Sequence, residues 1–380
     1  MPKTVAIIQR RLTNYRVPLF ELMRQQLAGQ GITLRVLHGD TTTAEATKND
    51  GGTLPWAEHL PTRYFAGGRI CWQPFMHRVR GCELVVITQE NKLVNNLWPV
   101  LNPWRRQKLA FWGHGRNMQS SSENGLLERF KRWTTCRVDW WFAYTELSAG
   151  LVREAGFEPD RITVLNNSID MASLSRGIAL ARERPASELR AQFNLPAEGP
   201  VGLYIGSLYA EKRIPLLIES AREVHRRLPD FRLLIAGAGP DQALVERAAS
   251  ESTFISFLGS VHSQHKAELL AVSDVLLNPG LIGLGILDAF AASMPILTTE
   301  YSHLQSPEMS YLEPSHNGVM TDDSVEGFSH AIERLLGEPQ VLAKLCAGAN
   351  ASASKYSVEN MADRFCDGIH SCLNVRPAKP

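Results

Sequence analysis

Short apolar runs alternate with amphipathic segments along the first half of the chain. Residues 4–8 and 32–37 are apolar enough for buried strands, and between them Leu19, Met23 and Leu27 recur at helical spacing. The same alternation predicts further strands at 83–88, 108–112, 140–144 and 162–165. Strands that alternate with helices predict a parallel, doubly wound sheet.

A second alternation of the same kind follows the polar, proline-punctuated segment 171–200. That segment is the best candidate for a connection between two domains, because domain boundaries favour exposed, polar linkers. We therefore predict a first domain over residues 1–175 and a second over residues 176–355. Apolar residues four apart within 358–373 predict an amphipathic helix near the end of the chain.

Three strand candidates of the second half each lead into a glycine-rich turn and then into a helix. They are residues 202–205, 233–236 and 275–278, and Lys212 follows the first turn. Glycine lets backbone N–H groups approach an anion, and the next helix adds a favourable dipole. Three such turns in one parallel sheet, with a lysine beside them, indicate a diphosphate site.

Composition places the chain among ordinary globular proteins of more than one domain. It has 380 residues, 44% hydrophobic and 21% charged, and no apolar run approaches the length of about 20 residues that a membrane span needs. The N-terminus does not have the pattern of a signal peptide. Six scattered cysteines without a C-x-x-C pair argue against zinc and a disulfide framework, so we expect a cytoplasmic protein.

The two halves of the chain differ in charge. Residues 1–190 carry 26 Lys/Arg against 17 Asp/Glu, whereas residues 191–380 carry 14 against 22. An excess of basic residues indicates either a solvated, arginine-rich surface or attraction to an anionic partner, such as acidic lipid headgroups or a lipid diphosphate, and the composition leaves both open. Five tryptophans lie among these charges and could be interfacial or core residues: Trp98, Trp104, Trp133, Trp140 and Trp141. No nucleic-acid-binding module is present.

Several segments of the second half, in order, resemble the retaining family-4 (group 1) glycosyltransferases. The run "YIGSLYAEKRIPLLIESA" is similar to the family's phosphate segment, "LLIAGAGPD" to its G-x-G-P loop, and "FISFLGSV" to the strand that follows. The resemblance is strongest over residues 139–337. It implies the GT-B fold, two Rossmann-like domains facing a central cleft. The first domain, with the helix 356–380 packed back on it, would bind the acceptor and the second a nucleotide-sugar.

The resemblance also implies roles for the first phosphate turn. Lys212 corresponds to a family lysine that stabilises charge on the leaving diphosphate. The family's accompanying arginine is replaced by Ser207, for which Arg213 is a candidate substitute. Gly206 and Gly237 are expected to approach the donor in their turns.

The run "NPGLIGLGILDAF" corresponds to a family segment with two glutamates. Asp288 takes the position of the second glutamate, which holds the ribose hydroxyls, although it could instead stabilise a helix dipole. Gly280 takes the position of the first, so sugar recognition must differ from the family pattern. The donor's diphosphate is expected to meet the backbone N–H groups of Ile282, Gly283 and Leu284. The same mapping brings Val261 near the nucleobase, with plain core as the alternative.

Acceptor contacts are predicted in the first half. His114 follows a strand that ends at the carboxyl edge of the sheet, where open α/β sheets bind ligands, and it resembles a family histidine beside the donor sugar. Arg116 is a candidate for an anionic acceptor. Asn14, Tyr15 and Arg16 would face the cleft from the first loop, although capping of the next helix explains them equally well.

The implied reaction is transfer of a sugar with retention of configuration, with neither a metal nor a cofactor. By resemblance it belongs to the synthesis of a bacterial surface polysaccharide or glycolipid, at the inner face of a membrane. Two alternatives remain open: a nucleotide-sugar 2-epimerase, and a catalytically weakened binding or scaffold protein, since Ser207 and Gly280 both lack expected side chains. Hydrolases and dehydrogenases fit poorly, because no G-x-S-x-G or G-x-G-x-x-G motif occurs.

Overall fold

A computed structural model shows two compact units, each built on one parallel sheet. The first unit comprises Met1–Ile169 together with Val358–Pro380, and the second comprises Asp170–Ser357. The residues that the structure describes are 2–46, 50–90, 92–102, 104–115, 133–301 and 306–375.

The first unit contains a seven-stranded, fully parallel sheet and one small hairpin. The sheet order is β3-β2-β1-β6-β7-β8-β9, and β4 and β5 form the antiparallel hairpin. The strands are β1 (Lys3–Arg11), β2 (Ile32–Gly39), β3 (Glu58–His59), β4 (Arg63–Phe65), β5 (Ile70–Trp72), β6 (Leu84–Thr88), β7 (Lys108–Gly113), β8 (Trp140–Ala143) and β9 (Ile162–Val164). The predicted parallel sheet is confirmed, whereas the hairpin was not predicted.

Helices follow several strands of this unit. They are α1 (Val17–Gly29), α2 (Thr43–Ala46), α3 (Leu97–Leu101) and α4 (Glu146–Glu154). Leu19, Met23 and Leu27 are all fully buried, so the predicted inner face of α1 is confirmed. The α4 helix begins after Thr145, whose hydroxyl oxygen accepts a hydrogen bond from the N–H of Ser148 and thereby satisfies one of the free donors at the helix start.

The second unit contains a six-stranded parallel sheet. Its order is β12-β11-β10-β13-β14-β15. The strands are β10 (Val201–Ile205), β11 (Arg232–Ala236), β12 (Ile255–Phe257), β13 (Val275–Leu277), β14 (Ile296–Thr299) and β15 (Gly318–Thr321). All three strands that were predicted to lead into glycine-rich turns are present, as β10, β11 and β13.

The helices of the second unit correct one prediction. They are α5 (Met171–Arg182), α6 (Ala186–Gln192), α7 (Ile214–Arg227), α8 (Gln242–Ser250), α9 (Ser263–Ala271), α10 (Gly285–Ala291), α11 (Val325–Gly337) and α12 (Pro339–Lys355). The segment 171–200 was predicted as a connection between domains, and that is wrong. It holds two helices of the second unit, and α5 buries Met171, Ile178 and Ala181.

The last helix, α13 (Val358–Asn374), packs on the sheet of the first unit. Phe365 is fully buried, with its ring 5.0 Å from that of Trp112 in β7 and 4.4 Å from that of Phe142 in β8. At the carboxyl end of α13, the Nζ of Lys108 donates a hydrogen bond of 2.5 Å to the carbonyl of Cys372. The helix is therefore an integral part of the first unit's core.

The tryptophans of the basic half divide into two groups. Trp140 and Trp141 lie in β8 and are buried, so the interfacial interpretation is wrong for these two, because every residue of this strand is buried. Trp98, Trp104 and Trp133 are exposed. Among the described residues, no helix is both long and apolar enough to cross a membrane.

We predict that Phe365→Ala lowers the free energy of unfolding of the first unit by about 3–5 kcal/mol, because it leaves a cavity against Trp112 and Phe142. Phe65→Ala is the matched control, since the Phe65 side chain is largely exposed. Urea denaturation followed by fluorescence measures both. Equal stability of the two variants would contradict the packing of α13 on this core.

Candidate functional site

Three turns lie side by side at the carboxyl edge of the second sheet. Because β10 lies between β11 and β13, the turn after it, residues 206–213, has a neighbour on each side. We refer to residues 206–213 as the central turn. Its Leu208 N–H donates to the carbonyl of Ala238 (2.9 Å), and its Glu211 carbonyl accepts from the N–H of Leu281 (3.0 Å). Backbone hydrogen bonds thus connect the central turn to both neighbours.

Glycines on the β11 side allow backbone to pack directly on backbone. Gly237 and Gly239 both have positive φ values, 154° and 158°. A Cβ on Gly237 would collide with the carbonyl oxygen of Gly206, and one on Gly239 would lie 2.8 Å from the nitrogen of Leu208. The N–H of Gly206 donates to Ala236 and that of Gly237 to Gly259, at 3.0 and 2.7 Å. Both N–H groups are therefore engaged within the protein.

Gly280 has the same role on the β13 side. A Cβ there would collide with the Glu211 carbonyl oxygen and lie 2.6 Å from Cα of Lys212. Position 280 therefore has no room for a side chain as the turns are packed. Its correspondence to the family's first glutamate stays a prediction.

This packing buries the side chain of Lys212. The residue ends a short 3-10 turn and is 8% exposed, and its ammonium donates a hydrogen bond to the carbonyl of Leu281. The ammonium also lies 5.7 Å from the ring centre of Tyr209. Burial lowers the pKa of Lys212 to about 8, while the negative charge of Glu308 acts in the opposite direction.

Ser207 and Arg213 each have a contact with another group of the second unit. Ser207 is exposed, and its carbonyl oxygen accepts a hydrogen bond of 2.8 Å from the hydroxyl of Tyr204. The guanidinium of Arg213 forms an ion pair of 3.0 Å with Asp323 and lies over the ring of Tyr301 at 4.7 Å. Arg213 is thus held by a carboxylate of the protein, and its predicted role toward the donor stays a prediction.

The turn after β13 leads into α10. Ile282 is buried, and the N–H of Gly283 donates to the hydroxyl of Ser306 at 2.9 Å. Leu284 is the N-cap residue of α10. The N–H of Gly283, one of the three predicted donor contacts, is thus already hydrogen-bonded to the segment that follows β14.

Asp288 lies in the first turn of α10 and is buried. Its carboxylate is 2.7 Å from the Nζ of Lys266 in α9, a pair that the sequence did not suggest. Val261 lies in the loop between β12 and α9 and is partly exposed, so it is not a core residue. Contact of either residue with a nucleoside stays a prediction.

The first unit places His114 at the carboxyl edge of its own sheet, directly after β7. The imidazole is exposed and its ring centre lies 4.3 Å from that of Tyr144, which follows β8. The next residue, Gly115, has a φ of +77°, and a Cβ there would be 2.7 Å from Cγ2 of Val152. The glycine after His114 is therefore required for close packing on α4.

The predicted first-loop contacts differ in exposure. Asn14 is exposed and Tyr15 is partly exposed, whereas Arg16 is only 5% exposed. The Arg16 guanidinium donates to Oδ1 of Asn167 (2.7 Å) and lies 4.8 Å from the ring centre of Trp112. This arginine thus connects the first loop to Asn167 and to Trp112 of β7 within the first unit. The sequence also predicted Arg116, which lies outside the described residues.

Three residues near these groups could not be assigned from the sequence. Lys266 lies in α9 and is separated from its partner Asp288 by strand β13, and Tyr144 appeared only as the last residue of a strand. Glu308 is buried, and its sequence context gave it no role, although its charge acts on Lys212. Within the part of the chain that the structure describes, no group of three or more His, Cys, Asp or Glu side chains is arranged to hold a metal ion.

Comparison with solved structures defines the class of fold. The crystal structure of Anabaena Alr3699/HepE in complex with UDP superposes with a TM-score of 0.71, at 16% sequence identity, over 97% of this chain and 100% of the other. Similarity at this level of identity concerns the fold alone. Together with the two parallel sheets, it confirms the predicted GT-B fold.

Sequence comparisons show similarity to one family of glycosyltransferases. Residues 199–338 match the model of the family described as Glycosyl transferases group 1. The chain is 27% identical over 176 residues to alpha-monoglucosyldiacylglycerol synthase of Acholeplasma laidlawii, and 29% identical over 236 residues to D-inositol 3-phosphate glycosyltransferase of Rhodococcus opacus. These matches cover 45% and 58% of this chain, and 43% and 50% of the two relatives. The similarity to the group 1 glycosyltransferases thus lies mainly in the second unit.

Gly280→Ala is predicted to displace the central turn, because the added methyl overlaps the backbone of Glu211 and Lys212. We expect a loss of about 1–3 kcal/mol in unfolding free energy. Gly285→Ala is the matched control, since a Cβ there meets nothing closer than 3.9 Å. Chemical denaturation measures both, and a Gly280→Ala variant as stable as Gly285→Ala would contradict the packing.

The lowered pKa of Lys212 predicts a pH dependence for binding of a diphosphate. The ammonium loses its proton as the pH rises through about 8, so affinity for UDP should fall above that pH and approach a tenfold loss per pH unit. Titration calorimetry from about pH 7 to pH 9 measures this. The loss should disappear in Lys212→Ala and persist in Lys344→Ala, which removes an exposed lysine. A flat wild-type profile would contradict it.

Proposed function

We propose that the protein is a retaining hexosyltransferase that uses a nucleotide-sugar donor. The second unit would hold the donor, and the first unit would hold the acceptor near His114. The observation that carries this proposal is the buried ammonium of Lys212 at the carboxyl edge of a parallel sheet, where such folds bind nucleotides. The similar Anabaena structure contains UDP, which supports a nucleoside diphosphate at this edge.

Lys212 would act on the leaving group. Negative charge grows on the diphosphate oxygen as the glycosidic bond breaks, and a fixed positive charge there stabilises the transition state more than the ground state. Burial strengthens this effect, because water is excluded from the ammonium. Since the lysine supplies the charge, we propose that the reaction needs no metal ion.

Retention of configuration would follow from attack on the same face from which the nucleotide leaves. The departing diphosphate oxygen would take the proton from the acceptor hydroxyl, so that no nucleophile of the protein is required. Asp288 would hold the ribose hydroxyls, with Lys266 fixing its carboxylate at 2.7 Å. His114 would orient the acceptor, with Tyr144 packed against its imidazole.

The acceptor proposed is a glycan or a lipid-linked sugar, in the synthesis of a bacterial surface polysaccharide or glycolipid. One relative is named for synthesis of a glucosyldiacylglycerol and another for transfer to an inositol phosphate. These names support an acceptor with a polyol or lipid component. We also propose an anionic membrane surface as a partner, because the first half of the chain carries more basic than acidic residues.

Donor hydrolysis tests the proposed function. The purified protein, incubated with UDP- or GDP-sugars, should slowly release the nucleotide and free sugar without added metal. Lys212→Ala should lower this rate by about 10²–10³-fold, with Lys344→Ala unchanged. A Lys212→Ala variant that is folded and as active as the wild type would exclude the proposed role.

The same assay separates the two alternatives. An epimerised donor would indicate a nucleotide-sugar 2-epimerase, and nucleotide binding without any turnover would indicate a binding or scaffold protein. No particular feature of the structure favours either alternative. The glycine at position 280 is explained by close backbone packing and is not by itself a sign of lost activity.

A further inference from the structure

The hairpin of β4 and β5 exposes apolar side chains on one face. Phe65 pairs with Ile70 across the hairpin and Arg63 pairs with Trp72, which places all four side chains on the same side. Phe65, Ile70 and Trp72 are 51%, 42% and 48% exposed. The other side carries Cys71, which is fully buried. The outward face, which in a solvated hairpin is normally polar, is thus mainly apolar.

The short helix α3 extends this apolar surface. Leu97 and Leu101 are exposed one turn apart, and Trp98 beside them is 71% exposed. Trp72 of the hairpin and Trp98 of the helix line one open groove of about 550 Å³, together with Met76. The hairpin and the helix thus share this groove through their two tryptophans. We use the name docking face for the exposed apolar residues of the two elements: Phe65, Ile70, Trp72, Leu97, Trp98 and Leu101.

Basic side chains lie on and around the docking face. Arg63 and Arg69 belong to the hairpin, and Arg80 lines the groove between the two tryptophans. All three are exposed, and none forms an ion pair within the described residues. The segment 59–82 contains no aspartate or glutamate. The segment that carries the hairpin and the groove is therefore basic, with three exposed arginines and no acidic residue between positions 59 and 82.

We propose that the docking face binds the surface of an anionic lipid bilayer. Tryptophan is favoured at the boundary between headgroups and acyl chains, where its apolar ring and polar N–H are both accommodated. Unpaired arginines are attracted to lipid phosphates, by about a factor of five in affinity for each basic residue. An exposed apolar surface of this extent in a monomer marks a site of interaction, and the ring of arginines selects an anionic one.

The inference rests on the anionic membrane partner of the proposed function and adds the residues that would contact it. It stands apart from the chemistry of Lys212, because every residue of the docking face belongs to the first unit and membrane binding is measured without nucleotide. A negative vesicle experiment would therefore contradict the docking face alone, and a negative donor assay would contradict the proposed transferase activity alone.

Sedimentation of the full chain with vesicles tests the proposal. The protein should bind vesicles of equal parts phosphatidylcholine and phosphatidylglycerol, and bind pure phosphatidylcholine vesicles much more weakly. Combining Trp72→Ala with Trp98→Ala should lower the partition coefficient at least about tenfold. Replacing Arg63 and Arg69 by glutamine should lower it about 25-fold, and added salt should weaken wild-type binding.

Matched variants of the second unit serve as controls. Leu180→Ala removes an apolar side chain that is 60% exposed, and Arg247→Gln removes an exposed arginine without an ion pair in the described structure. Both should bind vesicles like the wild type, and thermal unfolding confirms that each variant is folded. The proposal is overturned if the wild type binds neither vesicle, or if the docking-face variants bind as well as the controls.

Discussion

The close packing of backbone on backbone at the edge of the second sheet determines the rest of the site. The central turn fits between its two neighbours only because Gly237, Gly239 and Gly280 have no side chains where it passes. The buried position of Lys212 follows from this packing, and so does its lowered pKa. The desolvation free energy of the buried ammonium is partly offset, because its hydrogen bond to the carbonyl of Leu281 and the negative charge of Glu308 replace interactions with water.

This packing gives the glycines of the three turns a different role from the one that the sequence indicated. From the sequence, they indicated backbone donors for a phosphate. In the folded protein, the N–H groups of Gly206 and Gly237 donate to neighbouring carbonyls, and the glycines make room for the turn that carries the lysine. A diphosphate at this edge would therefore depend on Lys212 more than on these two N–H groups.

The sequence predicted much of the fold, because buried parallel strands are continuous apolar runs and α1 has clear helical spacing. It missed the hairpin of β4 and β5, whose strands are short and whose outward face is apolar. It placed the connection at 171–200, because polar composition does not distinguish a linker from the exposed side of α5. The pair of Lys266 and Asp288 depends on tertiary packing of α9 beside α10, which no local pattern records.

The arginines and tryptophans of the first unit include both buried and exposed residues, which composition alone does not distinguish. Its arginines include buried ones, such as Arg16 against Asn167 and Trp112, and exposed ones that form no ion pair with a described residue, such as Arg63 and Arg69. Its tryptophans divide in the same way, since Trp140 and Trp141 are core while Trp98 is largely exposed. A count of basic and aromatic residues therefore overstates the surface that is available to an anionic partner, and the burial of each residue corrects it.

The most direct test of the central claim is a crystal structure of the protein with UDP. We expect the diphosphate at the carboxyl edge of the second sheet, with a phosphate oxygen within about 3 Å of the Nζ of Lys212. A nucleotide bound elsewhere, or a diphosphate out of reach of Lys212, would contradict the account.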